Sequence, residues 1–221
     1  MKLTMADTLM ARGRRALNPL ARARELPRLA TVPPNSPYGE AFRLLSLNVR
    51  VLLGERSNKG VVVLSTHRRD GRSSVAANLA LALAQDSGVL LVDGYGPEGG
   101  VLPDVFERKT TQARSRPEAI PAQATPTDSA RLWILNGAAP ALRSLGSLSE
   151  AVQRASEAGI ITIVDSPPAA TSSAAFSLAR EVGQVIYVLN HKKQDIGVYR
   201  GIRDQLRRLH VDILGLVVNE H

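Results

Sequence analysis

Val61-Val62-Val63-Leu64-Ser65-Thr66-His67-Arg68-Arg69-Asp70-Gly71-Arg72-Ser73-Ser74 is the stretch on which the reading of this chain turns. A β-branched and Leu run ends at Ser65, a polar loop with one glycine follows, and Val75-Ala76-Ala77-Asn78-Leu79-Ala80 continues in helix-forming residues. A buried strand that feeds a loop and a helix N-terminus is the outline of a phosphate-binding loop. In that pattern loop amides cradle the phosphates, a lysine after the glycine reaches the outer phosphates, and the next hydroxyl holds Mg²⁺. Gly71 and Ser73 keep the glycine and the hydroxyl, but Arg72 stands where the lysine belongs. Whether the chain is an ATPase, a kinase or a nucleotide-binding relic depends on that position.

On both sides of this loop, strand and helix patterns alternate. Strands are predicted at Val61–Ser65, Val89–Asp93, Leu132–Leu135, Ile160–Asp165, Val185–Leu189 and Ile213–Val218. Most are continuous apolar runs, the pattern of strands buried on both faces in a parallel sheet. Helices are predicted at Ser73–Gln85, Ser147–Ala158, Ser172–Arg180 and Asp195–Leu209. Ser36-Pro37 opens a further helix with a cap residue and a first-turn proline, and Phe42, Leu45, Val49 and Leu52 recur on one face of it. The fold class expected is α/β, a doubly wound and mostly parallel central sheet with helices on both faces.

Open sheets of this kind place ligands at the carboxyl ends of their strands. Asp93 ends one predicted strand and Asp165 ends another, where Ser166-Pro167-Pro168 follows. One acid at a strand end is ordinary loop chemistry. Two of them, facing a Gly-x-Ser-Ser loop from a third strand, suit Mg²⁺ and the orientation of a water or hydroxyl against a γ-phosphate.

The 221 residues suffice for one α/β domain with an arm. Residues 1–35 read as a basic arm expected to be flexible: Lys2, Arg12, Arg14, Arg15, Arg22, Arg24 and Arg28 face only Asp7 and Glu25, and Pro19, Pro27, Pro33 and Pro34 break it. A short basic helix near Thr8–Leu17 is one reading of the arm, lying on anionic lipid, and a disordered tail is the simpler one. Residues 36–221 are expected to form the domain, with a mobile excursion at 107–131, where Thr, Ala, Pro, Gln and Arg show no apolar periodicity. The formal net charge of +8 suits an acidic protein, anionic lipid or nucleic acid equally well, or no specific partner at all. No cysteine is present, which excludes disulfides, thiolate metal sites and cysteine nucleophiles. No apolar run approaches the roughly 20 residues of a membrane span, and arginines interrupt any secretory segment at the N-terminus. The expected location is cytoplasmic, at the inner face of the plasma membrane if the arm meets lipid.

Ser36-Pro37-Tyr38-Gly39-Glu40-Ala41-Phe42-Arg43, Ala76-Ala77-Asn78-Leu79-Ala80, Val89 to Asp93, Val164-Asp165-Ser166-Pro167-Pro168 and Gly215-Leu216-Val217-Val218-Asn219 together resemble the bacterial tyrosine kinases of capsule and exopolysaccharide biosynthesis. Those kinases are a branch of the deviant-Walker P-loop NTPases, which also include plasmid-partitioning and division-site ATPases. The resemblance runs from Ser36 to about Asn219, and the opening helix separates it best from the partitioning branch. It implies ATP or ADP with Mg²⁺ as ligands. Arg69, Asp70, Gly71, Arg72, Ser73 and Ser74 would line the phosphates, and Asn219 would lie near the adenine. Ser73, Asp93 and Asp165 would hold the metal. Asp93 would act as catalytic base toward a tyrosine hydroxyl, with Arg72 in the lysine's catalytic place. The implied partner is a membrane polysaccharide co-polymerase that sets chain length, with a homo-oligomer in prospect and nucleic acid not expected.

The departures from the pattern gather at the chemistry. Arginine at 72 is a broad fork where a compact ammonium is usual. Arg69 replaces a loop glycine, a strained position if the backbone there needs positive φ. Tyr95 replaces a second acid after Asp93, Ala174 replaces another Asp, and Ser46 replaces the last arginine of a Glu-x-x-Arg-x-x-Arg signature linked to ring assembly. Scaffold kept and chemistry altered is the outline of a pseudokinase. The alternatives are a non-catalytic scaffold that binds a co-polymerase or a true kinase, and a partitioning-type ATPase.

Overall fold

The first helix, α1 (Pro37–Gly54), forms as its sequence predicts. Ser36 Oγ accepts the Gly39 amide at 3.1 Å and Pro37 opens the first turn, while Phe42, Leu45 and Val49 turn inward. At the end of the helix Leu53, not the expected Leu52, continues that face, because the 3.6-residue turn carries the stripe from 49 to 53 and leaves Leu52 exposed. The computed structural model describes residues 35–95, 102, 106, 116–136, 147–192 and 195–220, together with the backbone of residues 2–4.

The strands are β1 (Lys2–Thr4), β2 (Gly60–Ser65), β3 (Val89–Asp93), β4 (Thr125–Pro126), β5 (Leu132–Asn136), β6 (Ile161–Asp165), β7 (Gln184–Asn190) and β8 (Asp212–Glu220). They form one eight-stranded sheet in the order β1-β8-β7-β2-β6-β3-β5-β4. Every pairing is parallel except that of the two-residue β4 with β5. The helices after α1 are α2 (Arg72–Leu83), α3 (Ser147–Glu157), α4 (Ala174–Val182) and α5 (Ile196–Arg208).

The continuous apolar strands divide their side chains by the two-residue period of a pleated strand. Val61 and Val63 pack with α1 and α2 on one face of the sheet. Val62 and Leu64 pack with α3, α4 and α5 on the other. Both faces are covered, as the lack of alternation predicts. α2 is buried along nearly its whole length, so its Ala-rich sequence carries no amphipathic stripe.

The connections place the candidate site. The chain leaves β2 through α2 and returns in β3, passing over the position that β6 fills later. The carboxyl ends of β2, β6 and β3 therefore lie side by side, and this reversal of strand order is where open α/β sheets bind ligands.

Two expectations are modified. In the 107–131 stretch, residues 116–131 are anchored to the domain at a few points while much of the segment is exposed: Ile120 and Ala124 are buried in the core under the second face, and β4 pairs with β5. Isolated apolar residues in turns make these contacts, so no periodicity announces them. Residues 107–115 lie outside the described residues. In the basic arm, Lys2–Thr4 extends the sheet beside β8, while residue 1 and residues 5–34, including the basic helix considered near Thr8–Leu17, lie outside the described residues. No described helix is long and apolar enough to cross a membrane.

Candidate phosphate-binding site

Asp93 and Asp165 are register partners on β3 and β6. Neighbouring strands lie about 4.8 Å apart, so the two acids leave the sheet at the same level. Both are buried. Gly94 locks this edge: its amide donates to the Asp165 carbonyl at 2.8 Å, and a Cβ there would sit 2.6 Å from that oxygen. The Tyr95 amide then donates to Asp93 Oδ1 at 3.1 Å, which turns the chain as it leaves β3.

The loop between β2 and α2 is held from beneath. Ser65 Oγ donates to the His67 carbonyl at 3.1 Å, the His67 amide donates to Asp70 Oδ2 at 2.7 Å, and Asn219 Nδ2 donates to the Asp70 carbonyl at 3.0 Å. Two loop residues have left-handed backbone, Arg69 at φ 67° and Gly71 at φ 89°. The strain foreseen for Arg69 is present, at a cost on the order of 1 kcal/mol. At Gly71 a side chain would also collide, since its Cβ would lie 1.9 Å from Asn219 Nδ2. Asn219, expected near the base of a nucleotide, is thus packed under the loop as one of its supports.

α2 starts at Arg72 with Gly71 as its N-cap, and no side chain caps its first amides. Four amides at such a terminus lack helical partners, and with the helix dipole they favour an anion. Ser73 and Ser74 lie in this first turn, while Arg68 and Arg69 are exposed at the loop tip.

Arg72 does not reach out over this turn. Its guanidinium is folded inward, with the residue 4% exposed. Nε donates to Asp165 Oδ1 at 3.1 Å and Nη1 to Ser65 Oγ at 2.9 Å. Nη2 donates to the Tyr95 hydroxyl, and Cζ lies 5.3 Å from the centre of the Tyr95 ring. The Ser73 hydroxyl lies against the same Asp165 carboxylate, whose pKa is raised by burial against the opposing pull of Arg72 and Ser73. Asp165 Oδ2 has no well-formed hydrogen bond among the described residues.

The three residues expected to hold Mg²⁺ are therefore together, but a cation is already among them. Mg²⁺ demands near-octahedral oxygen ligands and gives up water reluctantly. Sharing Asp165 with a guanidinium would place like charges a few ångströms apart, at roughly 4 kcal/mol per pair of unit charges 4 Å apart. With Arg72 in this position, paired to Asp165, the residues present do not fit the ion.

Sequence reasoning assigned Tyr95 only as a departure and did not single out Ser65 or Gly94. Ser65 carries no signal, being one more strand-end serine. Gly94 and Tyr95 follow Asp93 directly, and the Asp-Gly-Tyr run is legible once the Asp is known to be packed against β6. Beside the loop, a cavity of about 60 Å³ is lined by Thr66, Asp70, Asn190, Asp195 and Tyr199 among others. Ligand pockets usually hold several hundred cubic ångströms, so this cavity is too small to enclose a ligand of that size.

Over 99% of this chain and 88% of the other, the structure superposes on the kinase domain of the Escherichia coli tyrosine kinase ETK, with a TM-score of 0.75 at 19% identity. The fold is that of a P-loop NTPase. The BceF tyrosine kinase domain shares it, with a TM-score of 0.71 at 20% identity over 87% of this chain and 81% of that one. So does a nucleotide-binding protein from Archaeoglobus fulgidus solved with ADP, with a TM-score of 0.51 at 14% identity over 77% and 70% of the two chains. In sequence, this chain is 26% identical over 183 residues to an iron-sulfur cluster carrier protein of Pseudomonas fragi. That match covers 78% of this chain, which spans 61% of the relative's length. No protein-family model matches. At these identities the likeness is one of fold.

Proposed function

We propose that this chain is a P-loop nucleotide-binding domain of the type found in the tyrosine autokinases that regulate capsule and exopolysaccharide chain length and export, with phosphoryl transfer weak or lost. One observation carries the reading: the uncapped N-terminus of α2 opens beside the in-register carboxylates of β3 and β6. Amides there suit the phosphates of ATP or ADP, and a fold neighbour solved with ADP supports the same ligand class. Arg69, Asp70, Gly71, Ser73 and Ser74 would surround the phosphates, with Asn219 bracing the loop.

Loss of transfer follows from where charge lies. Phosphoryl transfer depends on positive charge placed where negative charge develops. Arg72 spends its donors on Asp165, Ser65 and Tyr95 rather than on outer phosphates. Asp93, in the place of a base, is buried and accepts the Tyr95 amide. The domain would work as a nucleotide-sensing partner of a membrane co-polymerase and as a homo-oligomer, with the basic residues that follow β1 in the sequence offering charge to anionic lipid. Isothermal titration of the full chain with ADP and with ATP tests the reading. Saturable binding at or below millimolar ligand is the expected result, and no heat at millimolar ligand removes it.

A scaffold role has its own supporting observation. Leu44, Leu47 and Val51 recur at i, i+3 and i+7 on the outer face of α1, each about half exposed or more. Such a stripe suits a protein partner. A Leu47→Asp change that abolishes co-polymerase binding while leaving the ADP titration intact would favour this role.

A further inference from the structure

The two departures nearest the chemistry, Arg72 and Tyr95, touch each other. The Tyr95 hydroxyl accepts from one arm of the guanidinium and the ring lies against its carbon. Asp165 and Ser65 take the two remaining directions. The guanidinium is thus enclosed by one carboxylate, two hydroxyls and an aromatic face, and its residue is almost wholly buried. Each part suits an arginine: the planar fork matches several acceptors at once, and the ring attracts a delocalised cation. A lysine would satisfy fewer of them. An acid at position 95 would add a negative charge that one guanidinium does not balance.

From this geometry we infer that Arg72 is the resident cation of the P-loop, with Tyr95 as the residue that positions it, so that a nucleoside diphosphate binds here without a divalent ion. The inference rests on the nucleotide reading above. The charge balance is simple. Arg72 neutralises Asp165, the carboxylate a divalent ion would have to share, the amides of the α2 N-terminus meet the phosphates, and Asp93 beside them has its Oδ1 taken by the Tyr95 amide. Position 72 and position 95 therefore form one coupled change rather than two separate defects. Restoring a lysine alone leaves a tyrosine where charge was withdrawn, and it restores no metal dependence.

The test is ADP binding to the full chain, followed by calorimetry in EDTA and again in MgCl₂. The expected dissociation constants for the unaltered protein agree within about twofold, whereas the double variant Arg72→Lys/Tyr95→Asp binds ADP at least about tenfold more tightly with Mg²⁺ than without. Should the double variant not fold, Tyr95→Phe keeps the ring and removes only the hydroxyl. It is expected to weaken ADP binding in EDTA by about threefold to tenfold and to gain nothing from Mg²⁺. A rise of tenfold or more in the affinity of the unaltered protein on adding Mg²⁺ overturns the inference and leaves the nucleotide reading standing. Unchanged ADP binding by Tyr95→Phe in EDTA overturns the positioning role. Absence of ADP binding in both buffers overturns the inference together with the reading beneath it.

Discussion

The two edges of this sheet are built from the same strands and stabilised in opposite ways. At the amino edge, side chains pair with backbone. Asn58 donates to the Val182 carbonyl at 2.8 Å and accepts the Gly60 amide at 2.7 Å. Ser156 accepts the Lys59 amide at 2.9 Å, and Gln184 donates to the carbonyls of Asn58 and Gly60. No charge is buried in this set. At the carboxyl edge, charged side chains meet one another: Arg72 with Asp165, beside Asp93 and Asp70. Acceptors without well-formed partners occur at both edges, the neutral Gln184 Oε1 at the amino edge and the carboxylate oxygens Asp70 Oδ1 and Asp165 Oδ2 at the carboxyl edge. Neutral side-chain-to-backbone bonds simply close a fold. Buried charge costs several kcal/mol per ion to desolvate, and in this sheet that cost is concentrated at the carboxyl edge, the edge proposed above to meet a ligand.

The largest break in this contrast should come from removing half of the buried pair. Asp165→Leu leaves the Arg72 guanidinium buried without its carboxylate and is expected to cost about 3–5 kcal/mol in urea unfolding. A loss under about 1 kcal/mol would mean the pair is not formed in solution.

Next come matched glycine substitutions at the two edges. Gly71→Ala forces a side chain into left-handed backbone against Asn219 and should cost about 1–2 kcal/mol or more, with ADP binding lost. Gly60→Ala drives a Cβ to 2.6 Å from Val152 Cγ1 and should cost a similar 1–3 kcal/mol or so. Its ADP binding, measured below the unfolding transition, should be unchanged. Equal effects on ADP would erase the distinction between the edges.

Asn58→Ala sharpens the amino edge alone. It removes two bonds to backbone and should cost about 1–2 kcal/mol, again without effect on ADP.

The smallest effect is alkaline. Tyr187, whose hydroxyl pairs with Thr66 at 2.7 Å, has its pKa pushed from 10.0 to about 12, chiefly by burial. Burial also raises that of Tyr38. An acid that holds its proton more tightly when folded contributes stability that is complete below its unfolded pKa and is lost as pH rises through the folded one. Thermal unfolding should therefore be indifferent to Tyr187 up to about pH 9 and lose about 1 kcal/mol by pH 11. A flat profile from pH 9 to 11.5 would show that Tyr187 is not closed off by Thr66 in solution.

Much of this architecture is legible in the chain. Each of the six strands read from apolar runs exists, and Val89–Asp93 matches residue for residue. The opening helix, its Ser36 cap and the pairing of two strand-end acids with a glycine loop are present. Two small strands escaped notice for physical reasons. Thr125–Pro126 is too short to show a period, and Lys2–Thr4 borrows its ladder from β8. At the site, the residue types were legible and their engagements were not. Arg72 could be named as the odd residue, but its three partners come from the end of β2, the end of β6 and the turn after β3.

By itself, the sequence determined the layers of the molecule and the edge at which a ligand would meet them. A run of Val and Leu with no polar alternation has only one stable place, between two covering layers. A glycine loop after such a strand is bound to open at its carboxyl end. Only the tertiary structure decided where the charge of Arg72 goes. A long cationic side chain reaches either outward to phosphate or inward to protein. The choice is made by the acceptors it finds, and Asp165 stands 93 positions away in the chain. Strand register brings that carboxylate within 3.1 Å, and the Gly94 turn lays Tyr95 against the guanidinium to complete its enclosure.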